Sequence, residues 1–242
     1  MRINEIAKLM VAKGKGILAA DESTGTMTKR LESVGIESNS ANRLKFRFSL
    51  FTSPDFNKFI SGALLFDETI RQEKNGKSIP EILNERGVLP GIKVDKGAKQ
   101  LVGGGETVTE GLDGLRERLS EYYKLGARFA KWRGVYKITE EYPSKNSIIA
   151  NAHALARYAA LVQEAHMAPI VEPEVLMDGK HNIEKCYDVT SKVLEECMNQ
   201  LRIAGVDFSG MVLKPNMILN GSESGIKNNK KQVAELTLKC IT

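Results

Sequence analysis

Six short apolar runs, each ending in a charged residue, constrain this chain more than any other feature. They are Gly16–Asp21 (GILAAD), Phe59–Asp67 (FISGALLFD), Val88–Lys93 (VLPGIK), Ala127–Arg133 (ARFAKWR), Met167–Glu174 (MAPIVEPE) and Phe208–Lys214 (FSGMVLK). Runs of this kind suit strands covered on both faces, as in a parallel sheet flanked by helices. Their starts lie roughly 30–45 residues apart, the scale of one βα unit. Helical patterns fill the gaps. Gly111–Tyr123 sets Leu112, Leu115 and Leu119 on one face. Ser144–Ala165 opens on a capping serine and carries Ile148, Ala152, Leu155, Ala159 and Val162 along a stripe. His181–Ala204 is a third helix, with Gly205 as its stop. Ser40–Phe51 is a shorter basic helix that Ser40 would cap. Gly103-Gly104-Gly105 and Asn220–Lys231 read as surface loops.

Alternating strands and helices predict an α/β fold with a parallel sheet. The charges then favour one version of it. Asp21, Asp67, Lys93, Lys131, Arg133, Glu172, Glu174 and Lys214 all fall at or near strand C-terminal ends. In a TIM (β/α)₈ barrel those ends share one face, where active sites are built. An open sheet would spread them along an edge and use mainly those at its switch point. The expectation is a single barrel domain over residues 1–242 with about six βα units, strands seven and eight being absent.

The same charges are the candidates for chemistry. Buried lysine is rare without a partner or a task. Lys93, Lys131, Arg133 and Lys214 sit in apolar strand contexts, and ion pairs with Asp21, Asp95, Glu172 and Glu174 are the plain structural alternative. A desolvated lysine beside another cation becomes a nucleophile near neutral pH. Lys214, with Lys131 approaching across the barrel mouth, could add to a ketone and form a Schiff base. Glu172 and Glu174 are two apart and would point the same way on a strand. Such a pair can supply a general acid and a general base, although Pro173 between them argues against a regular ladder. Asp21–Thr26 with Lys29 and Arg30 could hold a phosphate at a helix start, or could be ordinary capping.

Composition narrows the partners. The 35 basic and 30 acidic side chains leave +5, spread along the chain, so nucleic acid is not expected. No stretch approaches the roughly 20 apolar residues of a membrane helix. The N-terminal sequence lacks the apolar centre of a secretory signal. Cys186, Cys197 and Cys240 have no CxxC spacing and read as free thiols in a reducing compartment. His153, His166 and His181 form no ligand pair, so no metal is expected.

The segments GKGILAADEST (Gly14–Thr24), GIKVDKG (Gly91–Gly97), ETVTEGLDGL (Glu106–Leu115), FAKWR (Phe129–Arg133), PIVEPE (Pro169–Glu174) and LKPNM (Leu213–Met217) together resemble class I fructose-1,6-bisphosphate aldolase over essentially the whole chain. The resemblance implies that Lys214 is the Schiff-base lysine, Glu172 the general acid–base residue and Glu174 the carboxylate supporting the lysine. It implies that Lys131 assists carbinolamine formation and that Asp21 steers the proton and carbon–carbon steps. Lys93, Arg133, Ser23, Thr26 and Lys29 would contact the sugar hydroxyls and the far phosphate. It further implies a metal-free, cofactor-free, cytoplasmic lyase of glycolysis acting on a sugar phosphate. Homotetramers and binding to cytoskeletal filaments are also implied, without nucleic acid or membrane partners. Family members continue through two more βα units and a mobile tail, which carry a Ser-Gly-Gly type loop, an arginine and a tyrosine. The resemblance therefore implies a C-terminally truncated barrel. The alternative reading is a catalytically impaired aldolase acting only as a binding or structural protein. A metal-dependent aldolase of the other class is disfavoured by the missing histidine ligands.

Overall fold

The computed structural model describes residues 1–242. Its main elements, in chain order, are α1 (Ile3–Met10), β1 (Gly16–Ala20), α2 (Thr24–Glu32), α3 (Ser40–Phe51), β2 (Ile60–Leu65), α4 (Ile79–Glu85) and β3 (Leu89–Lys93). There follow α5 (Leu115–Lys124), β4 (Phe129–Tyr136), α6 (Lys145–Glu164), β5 (Ala168–Val175), α7 (Ile183–Ile203), β6 (Val212–Leu213) and α8 (Lys230–Ile241). Two one-turn helices, Phe56–Phe59 and Asp67–Ile70, flank β2. Two small antiparallel ladders, Glu73–Lys74 with Lys77–Ser78 and Ala98–Gln100 with Thr107–Thr109, lie in the connections.

The six main strands form one parallel sheet whose spatial order equals their sequence order. A doubly wound sheet reverses its order at a switch point. No reversal occurs here, so the sheet is the wall of a (β/α) barrel that is incomplete, with β1 and β6 as its edges.

β4 shows how the wall is specified. Its residues alternate between two environments, as the two-residue period of a strand requires. Ala130, Trp132 and Tyr136 are buried toward the helices, and Trp132 stacks at 5.6 Å on Tyr158 of α6. Phe129, Lys131, Arg133 and Val135 take the other face. A core of 29 buried residues fills the layer between sheet and helices. A smaller cluster joins Leu64, Phe129, Ala168 and Ile170 to Ile6, Ala7 and Met10 of α1, which closes one end of the barrel.

Several boundaries differ from the sequence expectation. The sixth strand is not Phe208–Lys214: Phe208–Gly210 is a 3-10 turn, and only Val212–Leu213 pairs with β5. Gly111 and Gly114 have φ of 128° and 63°, so the helix expected from Gly111 starts at Leu115. Asn39, rather than Ser40, caps α3 by accepting from the Asn42 N–H. Ser144 does cap α6, and Gly205 follows α7 at φ 71°. Pro173 does not interrupt the ladder, because β4 and β5 stay in register from Phe129↔Ala168 to Tyr136↔Val175. A parallel strand donates alternate N–H groups to each neighbour, and β5 can spare one where its other neighbour is the two-residue β6.

Phe129 of β4 lies over glycines of β3, the adjacent strand, and of β2, the next one along. A Cβ on Gly91 would lie 2.2 Å from the Phe129 ring, and one on Gly62 would lie 2.9 Å from it. Gly91→Ala is therefore expected to cost about 2–3 kcal/mol of stability through overpacking. The control is Gly16→Ala, whose Cβ would meet nothing within 4 Å. Urea unfolding midpoints of the two variants check this.

Candidate active site

A cleft of about 380 Å³ opens at the C-terminal ends of the strands. Each wall residue arrives from a different element. β1 ends and delivers Asp21; β3 delivers Lys93 and, just beyond it, Asp95; β4 delivers Lys131 and Arg133. Glu22, Ser23, Thr26 and Arg30 come from the turn into α2 and its first two turns. Glu172 and Glu174 of β5 and Lys214, directly after β6, continue the same rim.

Lys131 is the centre of this site. Its Nζ lies 2.7 Å from Asp21 Oδ2 and 3.4 Å from Glu172 Oε2. The other oxygen of Glu172 accepts a hydrogen bond from Lys214 Nζ. One carboxylate from β5 thus touches two amines, one from β4 and one from the edge strand. Asp21 and Glu172 are both buried, so their charges are compensated by these lysines rather than by water. Burial works against the Lys131 ammonium, but the Asp21 and Glu172 carboxylates outweigh it and hold its pKa above the ordinary lysine value.

The remaining residues divide into two groups. Lys93 pairs with Asp95 at 2.9 Å, and Asp95 also accepts from the Gly97 N–H. Arg133 pairs with Glu174. Glu174 therefore does not touch Lys214, although it follows Glu172 on the same face of β5. Ser23 caps α2, accepting from the Thr26 N–H at 3.3 Å, and the two hydroxyls are 3.1 Å apart. The capping alternative for this segment is thus realised, and both hydroxyls still line the cleft.

Three expectations are corrected. Lys214 is not buried: its side chain is 56% exposed, because β6 is an edge strand with no neighbour on its far side. Lys29 is exposed and stands outside the cleft, whereas Arg30 lines it. Asp67 does not join the converging charges. It bonds Tyr122 Oη of α5 at 2.8 Å and pairs with Arg71, so it faces the helix layer.

Sequence reasoning also missed Thr109. Its hydroxyl donates to the Arg133 carbonyl at 2.7 Å and it lines the cleft. It comes from a ladder that no periodicity signalled. Arg47, which holds the Glu22 carbonyl from beneath, was hidden within a basic helix.

No group of three or more His, Cys, Asp or Glu side chains is arranged to hold a metal ion. His153 and His166 are exposed. Burial lowers the His181 pKa. All three cysteines are free, and burial pushes the Cys197 thiol up to about 12. No helix is long and apolar enough to cross a membrane.

Fold and site together define a (β/α) barrel protein with a lysine–carboxylate cleft at its strand C-terminal mouth. The family model for "Fructose-bisphosphate aldolase class-I" matches residues 2–242. A Xanthomonas axonopodis pv. citri protein named "Probable fructose-bisphosphate aldolase class 1" is 53% identical, the match covering 99% of this chain and 72% of that one. Fructose-bisphosphate aldolase 4, cytosolic, of Arabidopsis thaliana is 51% identical over 94% of this chain and 58% of its own. The solved fructose-bisphosphate aldolase of Plasmodium falciparum, in a ternary complex with TRAP and a small-molecule inhibitor, superposes with a TM-score of 0.96. It is 44% identical, covering 99% of this chain and 70% of that one. The chain belongs to the class I fructose-bisphosphate aldolase family.

Lys131 carries a pH prediction. Its folded pKa is raised, so its stabilising contribution is complete below the ordinary value of 10.5 and is lost as pH climbs through the raised one. Lys131→Met leaves the buried Asp21 carboxylate without a side-chain partner, while Glu172 keeps Lys214, and is expected to cost about 3 kcal/mol near pH 8. The gap between variant and unaltered chain should then narrow above pH 10.5. Urea midpoints measured from pH 8 to 11.5 read this directly.

Proposed function

We propose that this chain cleaves fructose 1,6-bisphosphate reversibly to dihydroxyacetone phosphate and glyceraldehyde 3-phosphate, through a Schiff base on Lys214. The observation that carries the reading is the contact of the single buried carboxylate of Glu172 with both Lys214 and Lys131.

The chemistry follows from that contact. Lys214 Nζ, in its neutral form, adds to the ketone carbon and gives a carbinolamine. Water leaves once its oxygen is protonated, and an iminium remains. Glu172 touches the nucleophile and is the group that can pass this proton, acting as base and then as acid. The iminium draws electrons from the bond between the third and fourth carbons. That bond breaks as the fourth-carbon hydroxyl loses its proton and the aldehyde product departs. Asp21, paired to Lys131, is the base assigned to this step. The enamine left behind takes a proton on carbon, and hydrolysis returns Lys214 and releases the ketose phosphate. Lys131 supplies fixed positive charge beside the reacting oxygens, and fixed charge of this kind lowers the barrier without reorganisation.

Arg133, Lys93, Ser23 and Thr26 are assigned to the sugar hydroxyls and the far phosphate, with Arg30 taking the part expected of Lys29. Glu174, through its pair with Arg133, is assigned to holding that arginine. The cytosolic names of related plant proteins support a cytoplasmic setting. Homotetramer formation and filament binding are proposed on family resemblance alone.

Incubation with dihydroxyacetone phosphate and borohydride is expected to add one sugar phosphate, on Lys214. Labelling of Lys131 or Lys93 with Lys214 unmodified would sink the assignment. Activity is also expected to survive EDTA. Loss on chelation with recovery on adding zinc would favour the metal-dependent class instead.

A further inference from the structure

The most deeply buried cation in the chain is not one of the cleft residues. Arg47 of α3 is 0% exposed, a placement that demands partners. Its Nη2 donates to the backbone carbonyl of Glu22 at 2.6 Å, and its Nη1 donates to Thr69 Oγ1 at 2.8 Å. The carboxylates of Glu22 and Glu68 lie 3.7 and 3.9 Å away. Arg43, one turn earlier on α3, holds Glu68 with two hydrogen bonds of 2.9 and 2.6 Å. Glu22 in turn reaches Arg30 on the cleft wall.

The carbonyl that Arg47 grips belongs to the residue directly after Asp21. The sheet has already let go there, since Ala20↔Leu65 is the last register pair between β1 and β2. The Asp21 carboxylate has one side-chain partner, Lys131. Downstream, the next fixed point is Ser23 capping α2. Between the end of the ladder and that cap, the backbone is held by Arg47.

We propose that Arg47 is a positioning residue for the Asp21–Lys131 pair, setting the height of the Asp21 turn over the cleft through the Glu22 carbonyl. The guanidinium touches no cleft space itself. It ties the turn to the one-turn helix after β2, so that two strand ends move as one. The catalytic consequence rests on the aldolase reading of Asp21 and Lys131, whereas the placement of the turn does not.

The test has two arms on the full 242-residue chain. In the first, Lys131 is labelled by reductive methylation and followed by peptide mass mapping, with the exposed Lys231 as internal reference. Arg47→Met should raise the Lys131 labelling rate several-fold while Lys231 is unchanged. Arg47→Lys, which keeps charge but loses the fork, should fall between. In the second arm, Arg47→Met should lower kcat about 10-fold or more with KM within about twofold, as misplacement of a reacting group does. Should Arg47→Met fail to fold, Thr69→Val removes one anchor without changing charge and should move both readouts in the same direction. Folded variants with unaltered Lys131 labelling overturn the proposal. So does a fall in activity that tracks only the loss of folded protein. Absence of any Lys214 adduct in the unaltered chain refutes the aldolase reading instead, and the labelling arm still decides the role of Arg47.

Discussion

The Lys131 ammonium, enclosed between Asp21 and Glu172, is the interaction on which the architecture of the mouth depends. A charged group out of water is tolerated only when its partners are well placed. Those partners come from β1 and β5, on either side of β4 but not both adjacent to it. They can meet only if the sheet curves until strands distant in its order face one another. Curvature is a property of the whole wall, set by Phe129 and its neighbours at the closed end and by Trp132 against α6 on the outside. The polar mouth and the apolar base are thus two readouts of one strand alternation. Shifting β4 by a single residue would send Lys131 into the helix layer and Trp132 into the cleft.

Much of this was legible from the chain. The apolar runs and their charged ends identified the sheet, its parallel sense and the face carrying the cleft. The spacing of Lys131, Trp132 and Arg133 told which side chains share a face, because a strand has a fixed two-residue period. Illegible features were those set by tertiary partners. Nothing local says that Glu174 meets Arg133 while Glu172 meets Lys214. Nor does the apolar run Met211-Val212-Leu213 reveal that its strand lies at an edge, which is why Lys214 was expected buried and is not. Glycine is equally mute about its tertiary role: Gly111 and Gly114 delay α5 by their positive φ, whereas Gly62 and Gly91 make room for the Phe129 ring from within strands.

The edge position of β6 separates the two amines that Glu172 touches. Lys214 leans on Glu172 from the open side, and half of its environment is solvent. The rest of the constellation, from Asp21 through Lys131 to Glu172, is enclosed. Glu172 therefore stands between an enclosed amine, Lys131, and an exposed one, Lys214, within one connected chain of charges.

The Phe129 ring lying over Gly62 and Gly91 has a consequence for how such a sequence can drift. The three positions share one volume, so their tolerances are not independent. Adding a side chain at position 91 alone overpacks the ring, at about 2–3 kcal/mol, and truncating the ring to alanine alone leaves a void, at about 3–5 kcal/mol. Neither single step is favourable, whereas a paired change can conserve the volume. Sequence change at this end of the barrel is thereby coupled: what one position gains in volume the other has to give up.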